Sequence, residues 1–131
     1  MDNNYKKRIL NSVSRYLKEK DFVRIKAKLP GMESPEMITE EKSGITYQPD
    51  LTATYNDGLH IFELETGESL KSRKSSFIKK CKNFENIVAS EGGKVHLVIP
   101  IERFDLIKTF LNTHNLENIS VLQYQSTKSD I

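Results

Sequence analysis

Two candidate strands joined by a tight turn occupy residues 49–65, which read PDLTATYNDGLHIFELE. The Asn-Asp-Gly segment at 56–58, between two apolar-rich runs, is a strong hairpin signal. Side chains two positions apart on a strand point to the same face, so Glu63 and Glu65 share a face. If Asp50 lies opposite Glu63, three carboxylates converge, which suits Mg²⁺ or Mn²⁺.

A simpler interpretation of the same acidic residues stays open. A hairpin with one solvated face also shows alternating carboxylates, here Glu63, Glu65 and Glu68. Short motifs have a high false-positive rate. The elements around the hairpin therefore decide between a metal site and a solvated surface.

Length and composition predict one domain, residues 1–131, with residues 125–131 as a frayed tail. The chain has 37% hydrophobic and 29% charged residues, as soluble globular proteins do, and its net charge of +2 is too small to indicate nucleic-acid binding by itself. No apolar run approaches the roughly 20 residues that span a bilayer, so we expect a cytoplasmic protein with no membrane association. The single cysteine, Cys81, excludes an internal disulfide and a cysteine-rich zinc site, and a packed thiol is expected there.

Hydrophobic periodicity predicts the elements around the hairpin. In chain order they are a helix at 4–20, strands at 22–29, 45–55 and 59–66, a helix from about 69 to 89, a strand at 95–99, a helix at 101–114 and a strand at 119–124. Residues 32–43 are predicted to be irregular, Ser69 or Ser72 to cap the second helix, and Gly92-Gly93 to end it. The order αβββαβαβ predicts an α/β protein with a mixed sheet flanked by helices.

This order, with Pro49-Asp50 on the second strand and Glu63-Leu64-Glu65 on the third, resembles the PD-(D/E)XK nuclease superfamily. Its restriction-endonuclease-like and Holliday-junction-resolvase-like members are the most similar, and the likeness covers residues 45–99 and the preceding helix. The resemblance implies a nuclease that hydrolyses DNA phosphodiester bonds. It also implies Asp50 and Glu63 as ligands of Mg²⁺ or Mn²⁺, which lowers the pKa of water and offsets charge on the phosphate.

The chain departs from the superfamily at Glu65, where a lysine is usual. A glutamate cannot supply positive charge, but it can bind the metal or deprotonate the attacking water. Lys71 or Lys74 is a candidate for a displaced lysine, and the alternative is that both coat a solvated helix face. Superfamily members also carry a glutamate in the first helix, where Glu19 stands near the end. Acidic residues in the following loop that could replace it are Glu36, Glu40 and Glu41.

The predicted second helix carries a basic cluster that the resemblance makes the DNA contact. Its members are Lys71, Arg73, Lys74, Lys79, Lys80 and Lys82. Lysines and arginines neutralise phosphates in a salt-sensitive and largely sequence-independent way. Lys79, Lys80 and Lys82 cannot share one helix face, so part of this charge is expected to serve solubility only. A second basic group, residues 6–8, opens the chain.

Two other functions stay open beside a DNA nuclease. The first is an inactive protein of the same fold that binds nucleic acid or a protein partner, which the missing motif lysine favours. The second is an unrelated α/β binding module with an acidic, solvated hairpin. The resemblance also leaves a homodimer open, because cutting two strands takes two sites. The three histidines, at 60, 96 and 114, are scattered and are expected to have structural roles.

Overall fold

The computed structural model describes residues 3–125 of the chain, so most of the predicted tail at 125–131 lies outside the described residues. The elements in chain order are α1 (Asn3–Glu19), β1 (Val23–Ala27), β2 (Ile38–Thr39), β3 (Thr46–Tyr47), β4 (Leu51–Tyr55), β5 (Gly58–Leu64), α2 (Glu68–Ser72), α3 (Lys74–Glu91), β6 (Val95–Pro100), a 3₁₀ turn (Ile101–Arg103), α4 (Phe104–Thr113) and β7 (Ser120–Tyr124). Each helix in this part of the chain is too short or too polar to cross a lipid bilayer.

Five strands form one mixed sheet in the order β1-β4-β5-β6-β7. The first three make an antiparallel meander, whereas β5, β6 and β7 run parallel and are joined by helical crossovers. Strands β2 and β3 pair with each other as a separate ribbon. The sheet and its flanking helices confirm the predicted α/β class and the predicted order of the main elements.

Helices bury both faces of this sheet. On one face α1 contributes an apolar stripe at spacings of three and four, namely Ile9, Leu10, Val13 and Leu17. On the other face α3 and α4 contribute Phe77, Cys81, Phe84, Val88, Ile107 and Leu111. The central strands β5 and β6 therefore lie between two apolar layers, and a charged side chain at their ends is shielded from water.

The hairpin between β4 and β5 has the geometry that its sequence predicts. Asn56 and Asp57 both have positive φ, 48° and 64°, and they connect the paired residues Tyr55 and Gly58. A two-residue turn of this hand matches the twist of the strands, and Asn and Asp tolerate the left-handed conformation. The resulting register pairs Leu51 with Phe62 and places the residue before β4 opposite Glu63.

Two local predictions are wrong. The second helix is broken at Arg73 (φ −137°, ψ 43°) into α2 and α3, and neither helix start has a capping side chain from Ser69 or Ser72. The predicted strand 45–55 is also split, because Pro49 has no N–H for a sheet hydrogen bond. The first part of the predicted strand forms β3, which pairs with β2. Strand β2 lies within residues 32–43, which were predicted to be irregular.

Gly92-Gly93 ends α3 as predicted and also closes a backbone contact. Gly92 has the left-handed conformation of a helix C-terminus, with φ 73°. A Cβ on Gly93 would lie 1.5 Å from the Leu59 carbonyl oxygen, and one on Gly58 would lie 2.4 Å from the Gly92 oxygen. Glycine is therefore required where the start of β5 meets the end of α3.

Candidate active site

Asp50 and Glu63 form a buried pair of carboxylates at one end of the β4–β5 hairpin. Asp50 is only 3% exposed and Glu63 only 5% exposed. The N–H of Asp50 donates to Glu63 Oε1 at 2.8 Å, and the N–H of Leu64 donates to Asp50 Oδ2 at 2.9 Å. The solvated-face interpretation of the hairpin is therefore wrong at these positions. Buried carboxylates are costly unless nearby positive charge compensates them.

Lysines from three different segments supply that charge. Lys6 of α1 places Nζ 2.8 Å from Asp50 Oδ1, and Lys28, directly after β1, places Nζ 3.4 Å from the same oxygen. Lys80 of α3 places Nζ 3.1 Å from Glu63 Oε2. These contacts bring together elements from both faces of the sheet at one charged cluster.

The pKa of Glu63 reflects the balance between burial, its acidic neighbour and the lysine beside it. Burial raises the pKa of Glu63 and the neighbouring Asp50 carboxylate raises it further, while Lys80 and the Asp50 N–H oppose the rise. Burial disfavours the charged form of Lys80, but the adjacent Glu63 carboxylate outweighs this effect and raises the pKa of Lys80. Further positive charge beside Glu63 would therefore favour its ionised form.

Glu65 is also buried, at 5% exposed, but its carboxylate makes a different contact. Its Oε2 accepts the N–H of Gly67 at 2.6 Å, just before α2 begins. Within residues 3–125, aspartate, glutamate, histidine and cysteine side chains form no group of three that could hold a metal ion. The structure therefore brings Asp50 and Glu63 together, and the expected convergence of three carboxylates is not seen.

The basic cluster predicted for the second helix divides into two sets. Lys80 contacts the carboxylate pair, so the helix after the hairpin does bring a lysine to this place. The exposed side chains, which make up the other set, are Lys71, Arg73, Lys74, Lys79 and Lys82. The two lysines singled out as displaced motif lysines, Lys71 and Lys74, belong to the exposed set.

The upstream acid expected from the resemblance does not lie beside the pair. Glu19 is exposed at the last residue of α1, whereas Lys6 is the residue of this helix that contacts Asp50. Glu36 is exposed, with Oε1 3.8 Å from Lys26 Nζ, and Glu40 and Glu41 lie in the loop between β2 and β3. The first helix therefore contributes a lysine, and not an acid, to the surroundings of Asp50.

Sequence reasoning did not single out Lys6 or Lys28 as site residues. Lys28 follows Ala27, which pairs with Leu51, so its proximity to Asp50 follows from the β1–β4 register. That register contains a bulge between Val23 and Lys26 and is not readable from the alternation of β1 alone. The sequence feature that could have indicated Lys6 is its position beside the apolar stripe of α1, the stripe that packs on the sheet.

The comparisons with known proteins bear on the fold. No protein-family profile matches the chain, and no curated protein is similar to it in sequence. The 1.60 Å crystal structure of an XisH family protein from Nostoc punctiforme PCC 73102 matches 88% of this chain and 89% of that chain, with a TM-score of 0.52 and 14% identity. The fold is restriction-endonuclease-like. At this identity the likeness concerns the fold and carries no residue roles.

Within this fold, Asp50 and Glu63 are the residues that would hold a hard divalent cation, in place of the lysine contacts on Asp50 Oδ1 and Glu63 Oε2. Mg²⁺ retains several waters and typically takes one or two protein carboxylates together with phosphate oxygens of the substrate. Asp50 and Glu63 offer two adjacent oxygen donors without a nitrogen or sulfur ligand, which suits Mg²⁺ or Mn²⁺ better than zinc. Burial, and then the repulsion between the two carboxylates, raise the pKa of Glu63, and a cation would relieve that repulsion.

The cysteine and the histidines lie outside this chemistry. Burial raises the pKa of Cys81 to about 12, so the thiol stays protonated and packs in the core. His60 Nδ1 and His96 Nε2 lie 2.9 Å apart on neighbouring strands, and the His96 ring stacks on Phe62 with centroids 4.4 Å apart. Both rings have the hydrogen-bonded, packed role that the sequence predicted.

The histidine pair makes fold stability depend on pH. Burial, with His60 and Lys94 adding to it, lowers the pKa of His96 from 6.5 to about 4. Because the unfolded chain binds this proton first, the stabilisation is complete above pH 6.5 and is lost as the pH falls towards 4, by at most about 3 kcal/mol. Urea unfolding of wild type and His96→Phe at pH 7.5 and 5 tests this. We expect a smaller pH effect in the variant, and equal effects would contradict the assignment.

Proposed function

We propose that the protein is a metal-dependent nuclease that hydrolyses DNA phosphodiester bonds, with Asp50 and Glu63 as its metal-binding residues. The observation that carries the proposal is the buried pair of carboxylates held side by side at the end of the β4–β5 hairpin. A nuclease-like fold around the pair supports it, because the resemblance assigns metal binding to the same two residues. When bound, Mg²⁺ or Mn²⁺ supplies positive charge that acidifies water and offsets charge on the phosphoryl group.

Backbone hydrogen bonds give the carboxylates their orientation before any substrate arrives. The N–H groups of Asp50 and Leu64 each donate to a carboxylate oxygen, and these residues lie directly before β4 and at the end of β5, which pair with each other. A ligand set held by strands loses little conformational freedom on binding, so more of the interaction energy is available for catalysis. The hairpin therefore preorganises the pair.

Lys80 supplies the positive charge that a lysine supplies in the superfamily motif at the position of Glu65. Its Nζ lies against Glu63 while its side chain is 28% exposed, so the ammonium group borders both the pair and solvent. A lysine in this place offsets charge on a bound phosphodiester and on the attacking water. Glu65 follows β5 directly, and its carboxylate, which accepts the N–H of Gly67, is the group that we assign to position or deprotonate that water.

An inactive protein of the same fold that binds nucleic acid or a protein partner is the second candidate function. The observation that favours it is the contact of both carboxylates with lysines, Lys6 and Lys28 on Asp50 and Lys80 on Glu63. Such a cluster is compensated without a metal, and Glu65 replaces the motif lysine. Metal binding separates the two candidates, since a structural cluster has no need of it.

The first test combines cleavage with metal binding. Labelled single-stranded, duplex and branched DNA are incubated with the wild-type protein and Mg²⁺, Mn²⁺ or EDTA, and metal binding is measured by calorimetry at pH 6 and 8. We expect cutting that EDTA abolishes and tighter metal binding at the higher pH, because a proton on Glu63, whose pKa is raised, competes with the cation. Absence of both cutting and metal binding would contradict the nuclease and leave the inactive binder.

A further inference from the structure

Two lysines share one oxygen of Asp50 in the candidate active site. Lys6 Nζ lies 2.8 Å from Asp50 Oδ1, and Lys28 Nζ lies 3.4 Å from the same atom. The second oxygen, Oδ2, accepts the N–H of Leu64. One lysine is sufficient to neutralise a single carboxylate, so Asp50 is in contact with one positive charge more than its compensation requires.

The same excess remains when the whole carboxylate pair is counted. Lys80 contacts Glu63, so three ammonium groups lie within 3.4 Å of two carboxylates. The next carboxylate along the chain, Glu65, accepts the N–H of Gly67 and forms no ion pair with a lysine among the described residues. The contacts at the pair therefore leave one positive charge without a carboxylate of its own.

The backbone fixes where both shared lysines leave the chain. The N–H of Lys28 donates to the carbonyl oxygen of Asp50 at 3.1 Å, and Lys28 directly follows β1, which pairs with β4. Lys6 lies three and four residues before Ile9 and Leu10, so it projects from the side of α1 that packs on the sheet. The two side chains are 34% and 33% exposed, so each ammonium group borders both the carboxylate and solvent.

We propose that Lys6 and Lys28 bind a phosphate oxygen of the nucleic-acid backbone beside Asp50. The choice of a phosphodiester as the anion rests on the proposed nuclease function. Lysine is a compact point charge that forms short, charge-assisted hydrogen bonds with phosphate oxygens. Each phosphate of the backbone carries one negative charge, which equals the excess of one positive charge at the pair.

The two lysines also suit a site in which Asp50 holds a cation. Both would lose their carboxylate partner if a cation occupied Asp50 Oδ1, yet both would remain next to the pair. A phosphate oxygen is the acceptor that a nucleic-acid substrate brings to them. We therefore assign Lys6 and Lys28 as substrate-binding residues.

Variants that remove one charge at a time test this assignment without metal. Lys6→Gln and Lys28→Gln each remove the excess charge but leave Asp50 with one lysine, so we expect the fold to persist. The matched controls are Lys7→Gln, at the exposed neighbour of Lys6, and Lys26→Gln, at a lysine that already has two glutamate partners. Fluorescence anisotropy with a labelled 20-base-pair duplex in EDTA, over a range of salt concentrations, measures binding without cleavage.

We expect Lys6→Gln and Lys28→Gln each to weaken DNA binding about fivefold or more at about 0.1 M salt. Each should also reduce the slope of log affinity against log salt by about 0.9, the contribution of one phosphate contact. The two controls are expected to change both quantities by less than about half as much. Equal losses in all four variants would overturn the proposal, because they would show a general effect of net charge.

Asp50→Asn is expected to change DNA binding in the opposite direction. It removes the carboxylate that the two lysines share and so frees a second positive charge for phosphate. We expect DNA binding in EDTA to tighten about fivefold or more, whereas Asp57→Asn, the same change in the hairpin turn, should leave it close to wild type.

Two further results would overturn the proposal. One is that Lys6→Gln and Lys28→Gln unfold more easily in urea but keep the wild-type salt slope, as a purely structural role requires. The other is a wild type that binds inorganic phosphate but not DNA, or neither. Binding that depends on these lysines without any cutting in Mg²⁺ would contradict the nuclease alone, and cutting without this dependence would contradict the lysine assignment alone.

Discussion

Asp50→Asn is expected to lower metal-dependent DNA cleavage by at least about 10²-fold while the protein stays folded. A bound cation contributes several kcal/mol to transition-state stabilisation, and each 1.36 kcal/mol is a factor of ten in rate. Asparagine keeps the shape of Asp50 and an oxygen that can accept the Leu64 N–H, but it offers the cation no negative charge. Glu63→Gln is expected to have an effect of the same order.

The measurement is the single-turnover cleavage rate with Mg²⁺ or Mn²⁺, accompanied by circular dichroism and by calorimetric metal titration. Asp57→Asn is the matched control, because Asp57 is exposed in the hairpin turn with φ 64° and asparagine also tolerates that conformation. It makes the same chemical change on the same hairpin, and we expect wild-type cleavage. An Asp50→Asn protein that cuts as fast as the Asp57→Asn control would refute the assignment.

Lys80→Met is expected to lower the free energy of unfolding by about 2–4 kcal/mol in the absence of metal. Removing one partner of a buried ion pair leaves the other charge uncompensated, which typically costs about 3–5 kcal/mol, and the 28% exposure of the Lys80 side chain reduces this. Among the described residues, Glu63 then keeps the Asp50 N–H as its one hydrogen-bond donor, beside a like charge. The loss should shrink as the pH falls, because the raised pKa of Glu63 lets it take up a proton.

Urea unfolding at pH 7.5 with EDTA measures this loss. Lys79→Met is the control, since Lys79 is the adjacent but exposed residue of α3, and it is expected to change stability by less than about 0.5 kcal/mol. The double variant Glu63→Gln/Lys80→Met should recover most of the stability, because no charge is then left unpaired at this position. Equal stability of Lys80→Met and Lys79→Met would show that the ion pair does not compensate Glu63.

Local chemistry explains which parts of the fold could be predicted. Asn56 and Asp57 favour a two-residue turn, that turn sets the register of β4 on β5, and the register puts Asp50 opposite Glu63. The breaks at Arg73 and Pro49 were missed, because weak helix and strand preferences at these points compete with packing against the rest of the chain. Propensity alone does not settle such competitions.

In the candidate site, too, strand periodicity predicts some features of a side chain, whereas other features depend on the rest of the structure. The two-residue period of a strand predicts that Glu65 shares a face with Glu63, but β5 ends at Leu64 and the Glu65 carboxylate accepts the N–H of Gly67. A hydrogen bond across a two-residue turn depends on how the chain leaves β5, and strand periodicity says nothing about it. The expected convergence of three carboxylates is therefore not formed, because the Glu65 carboxylate contacts the chain just after β5 instead.

The amino-acid sequence by itself determined the α/β class, the order of the main elements and the pairing of Asp50 with Glu63. These follow from hydrophobic periods and from one turn, which act between residues near each other along the chain. Only the tertiary structure decided that Lys6, Lys28 and Lys80 meet at that pair. Their approach depends on how α1 and α3 pack on opposite faces of the sheet and on the bulged register of β1, interactions between segments that are distant in sequence.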